Sequence, residues 1–163
     1  MSFTIRDASS ADHAAILALN LESEALLSPM DAARLLSLDA EAAYHRVAVD
    51  EGGVAAFLMA FRDGAAYDSP NYRWFAQRYD RFLYVDRIAV LGAQQGRGLG
   101  AALYADLFAW AREHDIPRIV CEYYSVPLNE GSQRFHASRG FREVGTLWLP
   151  DGGKQVSFQV AAV

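Results

Sequence analysis

Apolar positions recur along the chain with two different periods, and the switches between them predict the elements. Leu99, Leu103, Leu107 and Trp110 return every three or four residues, which predicts a helix with one buried face. That helix must stop near Asp115, because Pro117 disfavours helical geometry at Ile116. Near the end of the chain Val156, Phe158 and Val160 alternate instead, and this predicts a strand. With "FREVGTLWL" and the "PDGG" turn before it, the strand forms a hairpin.

The same reading extends to the rest. "FTIRDA" predicts a first strand, and "SSADHAAILALNLES" a helix capped by a Ser or Asp. "SPMDAARLLSLDAEAAY" predicts a second helix with Pro29 in its first turn. "HRVAVDEGGVAAFLMAFRDG" breaks at Glu51-Gly52-Gly53 into two strands. "FLYVDRIAV" and "RIVCEYYS" predict strands on either side of the long helix, and "NEGSQRFHASRG" a short helix closed by Gly140. Residues 65–81 form an aromatic-rich connection with room for a short helix. The order is β-α-α-β-β-β-α-β-α-β-β, which predicts an α/β (α+β) fold with a mixed central sheet. Residues 1–163 read as one domain.

Composition narrows the function classes. The net charge of −5 argues against a nucleic-acid surface. The apolar stretch "GVAAFLMAF" is too short to cross a bilayer, so no membrane partner is expected. The start lacks the layout of a secretion signal, and a cytoplasmic location is expected. Cys121 is the only cysteine and sits in a predicted strand, where it reads as a small hydrophobe. His13, His45 and His114 have no ligating residues at metal spacing, so no metal is expected.

The chemistry concentrates in "QQGRGLGAAL". No Lys-Ser or Lys-Thr pair follows the glycines, which excludes a Walker-type loop. Gly96, Gly98 and Ala101 match a dinucleotide fingerprint, with Glu122 about 20 residues further on. The fingerprint, however, places its first glycine tight against the strand, and here "LGAQQ" intervenes. Close packing of a helix start accounts for one or two glycines, not three at alternate positions. A pyrophosphate cradle accounts for all three: bare backbone N–H groups converge at a positive helix end. Gln95 and Arg97 stand ready as donors at its rim.

Gln95-Gly96-Arg97-Gly98-Leu99-Gly100 resembles the Q/R-x-x-G-x-G/A motif of the GNAT superfamily of acetyl-CoA-dependent N-acetyltransferases. Asn129 to Phe141 is similar to the family's N-x-x-A-x-x-x-Y-x-x-x-G-F segment, with His136 at the tyrosine position. The resemblance implies a sheet whose central strands splay apart and acetyl-CoA, or coenzyme A, as co-substrate. It implies that Gln95, Gly96, Arg97, Gly98, Leu99, Gly100 and Ala101 hold the pyrophosphate. Ile88, Ala89 and Val90 would pair with the pantetheine arm, and Asn129, Ser132 and Phe135 would line its other side.

It also implies direct attack of an amine on the thioester, with the oxyanion held by backbone N–H near Val90. Asp86 is a candidate base, since alternation places Tyr84, Asp86, Ile88 and Val90 on one face. A salt bridge is its competing role. Glu122 on the opposite strand is the second candidate. For the acid, His136 competes with Tyr123 and Tyr124. The expected acceptor is a primary amine of a small molecule. Residues 65–81 are expected to close over it, with Arg73, Arg78 or Arg81 pairing a carboxylate. The alternative is a catalytically silent coenzyme A-binding or regulatory domain, and the last hairpin is a candidate homodimer surface.

Overall fold

The computed structural model describes residues 2–163. In chain order the elements are β1 (Thr4–Asp7), α1 (His13–Glu22), α2 (Ala32–Glu41), β2 (Tyr44–Asp50), β3 (Gly53–Arg62) and α3 (Pro70–Ala76). There follow β4 (Leu83–Val90), α4 (Leu99–Glu113), β5 (Arg118–Val126), α5 (Glu130–Ala137), β6 (Arg142–Trp148) and β7 (Gln155–Ala162). The seven strands form one mixed sheet in the order β1-β2-β3-β4-β5-β7-β6. The expected element order holds, with α3 added inside the aromatic connection.

Two apolar layers sandwich the sheet, and β3 shows how one strand serves both. Ala56, Leu58 and Ala60 face the layer that holds α4, while Phe57, Met59 and Phe61 face the layer of α1, α2 and α3. Small residues let the long α4 lie close to the strand, and the bulky set fills the other side.

Local chemistry explains where the sequence reading shifts. Pro29 lies outside α2, because Asp31 takes the cap position and its carboxylate accepts from the Arg34 N–H at 2.7 Å. The buried stripe of α4 is Leu99, Leu103, Tyr104, Leu107 and Ala111. Trp110 is only half-buried, edge-on to Tyr44 and stacked on His114. The helix ends in paired reverse hydrogen bonds, Asp115 N–H to Arg112 and Ile116 N–H to Ala111, with Asp115 at φ 56°.

The decisive irregularity is in β4. Its pairing with β3 slips between Met59 and Ala60, so that Met59 faces Arg87, Ala60 faces Val85, and Asp86 is the extra residue of a bulge. Alternation therefore breaks. Leu83, Val85, Ile88 and Val90 face α4, whereas Tyr84 and Ala89 face the opposite layer. The expected shared face of Tyr84, Asp86, Ile88 and Val90 does not exist. Next to this bulge β4 also leaves its other neighbour, since it pairs with β5 only at Leu83–Ile119 and Tyr84–Val120. Beyond Tyr84 the sheet opens.

Candidate active site

The opening holds two clefts that share Leu26, Leu27, Ile88, Tyr104, Asn129, Ser132 and His136 in their walls. The first, about 560 Å³, runs from the gap to the start of α4. Gly96 and Gly98 line it at φ 85° and 78°, the left-handed region that disfavours any side chain. Gly98 is the residue before α4, and no side chain caps that helix. The first intrahelical bond to close there is from Ala102 N–H to Gly98, so the N–H groups of the first turn remain free for an anion.

Twelve of the thirteen residues expected at the cofactor line this cleft: Ile88, Ala89, Val90, Gln95, Gly96, Gly98, Leu99, Gly100, Ala101, Asn129, Ser132 and Phe135. Arg97 is the exception. Its guanidinium turns back onto the buried Asp50 carboxylate and the Gln94 side chain, so the side chain ties the loop to β2. Asn129 caps α5, accepting from the Ser132 N–H at 3.1 Å. Arg139, unmarked by any motif, lies over the Phe135 ring at 3.7 Å on the same wall.

The second cleft, about 510 Å³, lies on the other side of the junction. Glu122 of β5 stands in it. Oε1 accepts from the Tyr84 hydroxyl at 2.7 Å and from Asn71 Nδ2 at 2.9 Å. Oε2 is shielded from solvent and has no hydrogen-bond partner among the described residues. Burial pushes the Glu122 carboxyl up to about 8; the Tyr84 hydrogen bond opposes this and the nearby Asp86 charge adds to it.

Asp86 also lines this cleft but is differently bonded. The bulge turns it toward the α1 and α3 layer, where both oxygens are engaged. Tyr67 donates to Oδ1 at 2.5 Å and Arg87 Nε to Oδ2 at 2.7 Å. Arg87 in turn donates to Asn20 of α1 at 2.9 Å and to the Ser28 carbonyl at 3.1 Å. Asp86 thus anchors a buried ion pair that fixes residues 20–30, several of which roof the cleft.

His136 is buried at the junction. Its Nδ1 lies 2.7 Å from the Ser132 carbonyl, which can only accept, so Nδ1 carries the proton. Nε2 is then the acceptor for the Tyr104 hydroxyl at 2.9 Å. Burial holds the imidazole below its usual range, against the pull of the Ser132 carbonyl. The His136 Nδ1 proton thus points at Ser132 and the Tyr104 hydroxyl proton at Nε2, while burial pushes that hydroxyl well above its usual range. Tyr123 and Tyr124 also line the second cleft.

Helix α3 fills the aromatic-rich connection and packs through Tyr72 and Phe75, both buried. Its arginines do not reach the cleft. Arg78 lies on the Trp74 ring, and Arg81 donates to the Asp115 carbonyl. The Arg73 side chain belongs to a separate surface depression beside Arg34 and Asp68. What α3 does deliver is Asn71, which the sequence reading missed because no motif marks an asparagine that meets β5 through space.

A family model described as the acetyltransferase (GNAT) family matches residues 13–141. Among solved structures, Ard1 from Thermoplasma volcanium is similar at 19% identity and TM-score 0.81, covering 100% of this chain and 99% of that one. The ribosomal-protein-S18-alanine N-acetyltransferase from Escherichia coli aligns at 17% identity and TM-score 0.75, over 99% and 94% of the two chains. The IAA acetyltransferase from Bacillus cereus ATCC 14579 aligns at 14% and TM-score 0.69, over 99% and 100%. At these identities the likeness establishes the fold. No curated protein sequence matches the chain.

Proposed function

The chain belongs to the GNAT acetyltransferase family, and from that premise we propose that it transfers the acetyl group of acetyl-CoA to a primary amine by direct attack, with Glu122 as the base. One observation carries the reading: a carboxyl held near 8 beside the junction with the cleft that the glycine loop closes. A base of that strength suits removal of a proton from an ammonium near neutral pH.

The residues on the other side fit the co-substrate. Bare N–H groups at the start of α4, approached past Gly96, Gly98 and Gly100, suit a pyrophosphate. Ile88, Ala89 and Val90 pair with β3 on one edge and face the gap on the other, which leaves backbone groups for an extended amide chain. Acetyl-CoA supplies the reactive thioester. Val90 offers its backbone N–H to the oxyanion, since that of Leu91 is donated to Ala55. Glu122 takes the amine proton as the C–N bond forms; as the C–S bond breaks, the Tyr104 hydroxyl turns from His136 Nε2 to give its one proton to the departing sulfur.

Asp86 serves the reaction indirectly by fixing the roof. A small-molecule acceptor suits the enclosed second cleft, whose floor is side chains and not open surface.

The test pairs binding with chemistry. Acetyl-CoA and coenzyme A should raise the melting temperature and NAD should not. Release of coenzyme A with a panel of primary amines should rise with pH through about 8 and collapse in Glu122→Gln. Binding without release from any amine would establish a silent coenzyme A-binding domain instead.

A further inference from the structure

Three buried polar side-chain atoms lack any partner among the described residues: His45 Nε2, Asn71 Oδ1 and Glu122 Oε2. His45 sits apart, bonded through Nδ1 to Asp39. The other two belong to side chains that touch, since Asn71 Nδ2 donates to Glu122 Oε1. Both residues line the second cleft. With Glu122 ionised these are two shielded acceptors without donors, which costs free energy that a fold ordinarily avoids. Here they come from elements 51 positions apart, α3 and β5, brought to one place.

Their chemistry specifies the missing donor. It must carry at least two N–H or O–H groups, and positive charge would be welcomed beside Glu122 and Asp86. A primary ammonium meets both conditions. Two basic side chains line the same cleft: Arg87, whose Nε and Nη1 are bonded to Asp86, Asn20 and Ser28, and the exposed Lys154, which forms no ion pair among the described residues. Lys154 lies over the Tyr124 ring, on the hairpin that follows β6.

We infer that Asn71 Oδ1 and Glu122 Oε2 together seat the acceptor's ammonium, which makes Asn71 a specificity-determining residue for primary amines bearing no carboxylate on the adjacent carbon. This rests on the proposed acetyl transfer and deepens it. A carboxylate one carbon from the nitrogen would enter the field of Glu122 and Asp86, and Arg87, the arginine in this wall, is already committed to Asp86, Asn20 and Ser28. The arginine clamp expected from residues 65–81 is replaced by an amide. Tyr84 and Asp86 on β4, Cys121 on β5 and Tyr104 on α4 are the other titratable groups whose charges or hydrogen bonds couple to Glu122 or whose own titration it shifts.

The deciding measurement is the titration of Glu122 by carbon NMR, assigned with Glu122→Gln, in the protein with and without coenzyme A. Phenethylammonium is the probe, and phenylalanine is its carboxylate-bearing counterpart. The ammonium should lower the Glu122 midpoint by about one pH unit or more, because it stabilises the carboxylate. Phenylalanine should move it much less, and Asn71→Leu should abolish the shift. In steady state, Asn71→Leu should lower kcat/KM for phenethylamine about tenfold or more while leaving the acetyl-CoA KM unchanged. Should the leucine variant not fold, Asn71→Ser, too short to reach, decides in its place.

An equal shift in wild type and variant, or none in wild type, overturns the inference. So does a larger shift with phenylalanine. Failure of acetyl-CoA to bind would overturn the proposed function while the ammonium titration still decides this seat.

Discussion

The two clefts meet at one junction but are built by opposite means. The cleft toward α4 is made largely of backbone: positive-φ glycines, the free N–H groups of a helix start and the unpaired edge of β4. The second cleft is made of side chains from five separate places, with Tyr67 before α3, Asn71 on α3, Tyr84 on β4, Tyr104 on α4 and Glu122 on β5. A backbone site recognises what is common to a chemical class, such as a phosphate, and tolerates side-chain change. A side-chain site recognises one geometry and can be remade residue by residue. That contrast accounts for one family's fixed donor and its many acceptors.

Substitutions that tell the clefts apart follow in order of expected size. Glu122→Gln should lower kcat by about 10²- to 10⁴-fold with acetyl-CoA binding intact, as measured by steady-state kinetics and calorimetry. Comparable loss of acetyl-CoA affinity would mean that the two clefts are not separable. Arg87→Met strands the Asp86 carboxylate in a buried setting and should cost about 3–5 kcal/mol in urea unfolding. It should also raise the acceptor KM, since residues 20–30 lose their anchor. Asp86→Asn should behave as a milder version and keep the pH profile of Glu122, whereas a lost basic limb would restore Asp86 as the base.

Gly98→Val acts on the other side alone. Forcing a branched residue into φ 78° should cost about 1–2 kcal/mol and weaken acetyl-CoA binding, with the acceptor KM unmoved.

The last effect is a slope, spread over several pH units. Glu122 holds its proton to about 8 when folded but releases it near 4.5 when unfolded, so the unfolded chain binds fewer protons between those values. Stability is therefore greatest below the lower value and falls as pH rises, by at most about 1.4 kcal/mol per unit across that window. Glu122→Gln should flatten this slope in unfolding measured from pH 5 to 8, and an unchanged slope would contradict the raised carboxyl.

The same contrast sets what could be read from the chain. The glycine loop was legible because a demand on φ writes itself into residue type at fixed spacing. So was the room for α3 in residues 65–81. The bulge was not, since nothing in "VDRIAV" distinguishes an extra residue from regular alternation, and it breaks the face that Asp86 was expected to share with Ile88 and Val90. Asn71 and Tyr104 escaped because their roles exist only once distant elements meet. Arg97 misled because a charged residue inside an anion loop invites a ligand reading, whereas Asp50, far away in sequence, claims it.

Gly145 couples the two halves of the sheet in a way that ordinary packing does not. A Cβ there would come within 2.5 Å of the Trp74 ring, which itself stacks on Phe158 at 4.1 Å. The bare backbone of β6 is thus the socket into which α3 is plugged. Asn71 stands three residues from that plug, so its aim depends on the absence of a side chain on a strand at the sheet's far edge. A single methyl group at residue 145 would be transmitted as a change in selectivity, without touching either cleft.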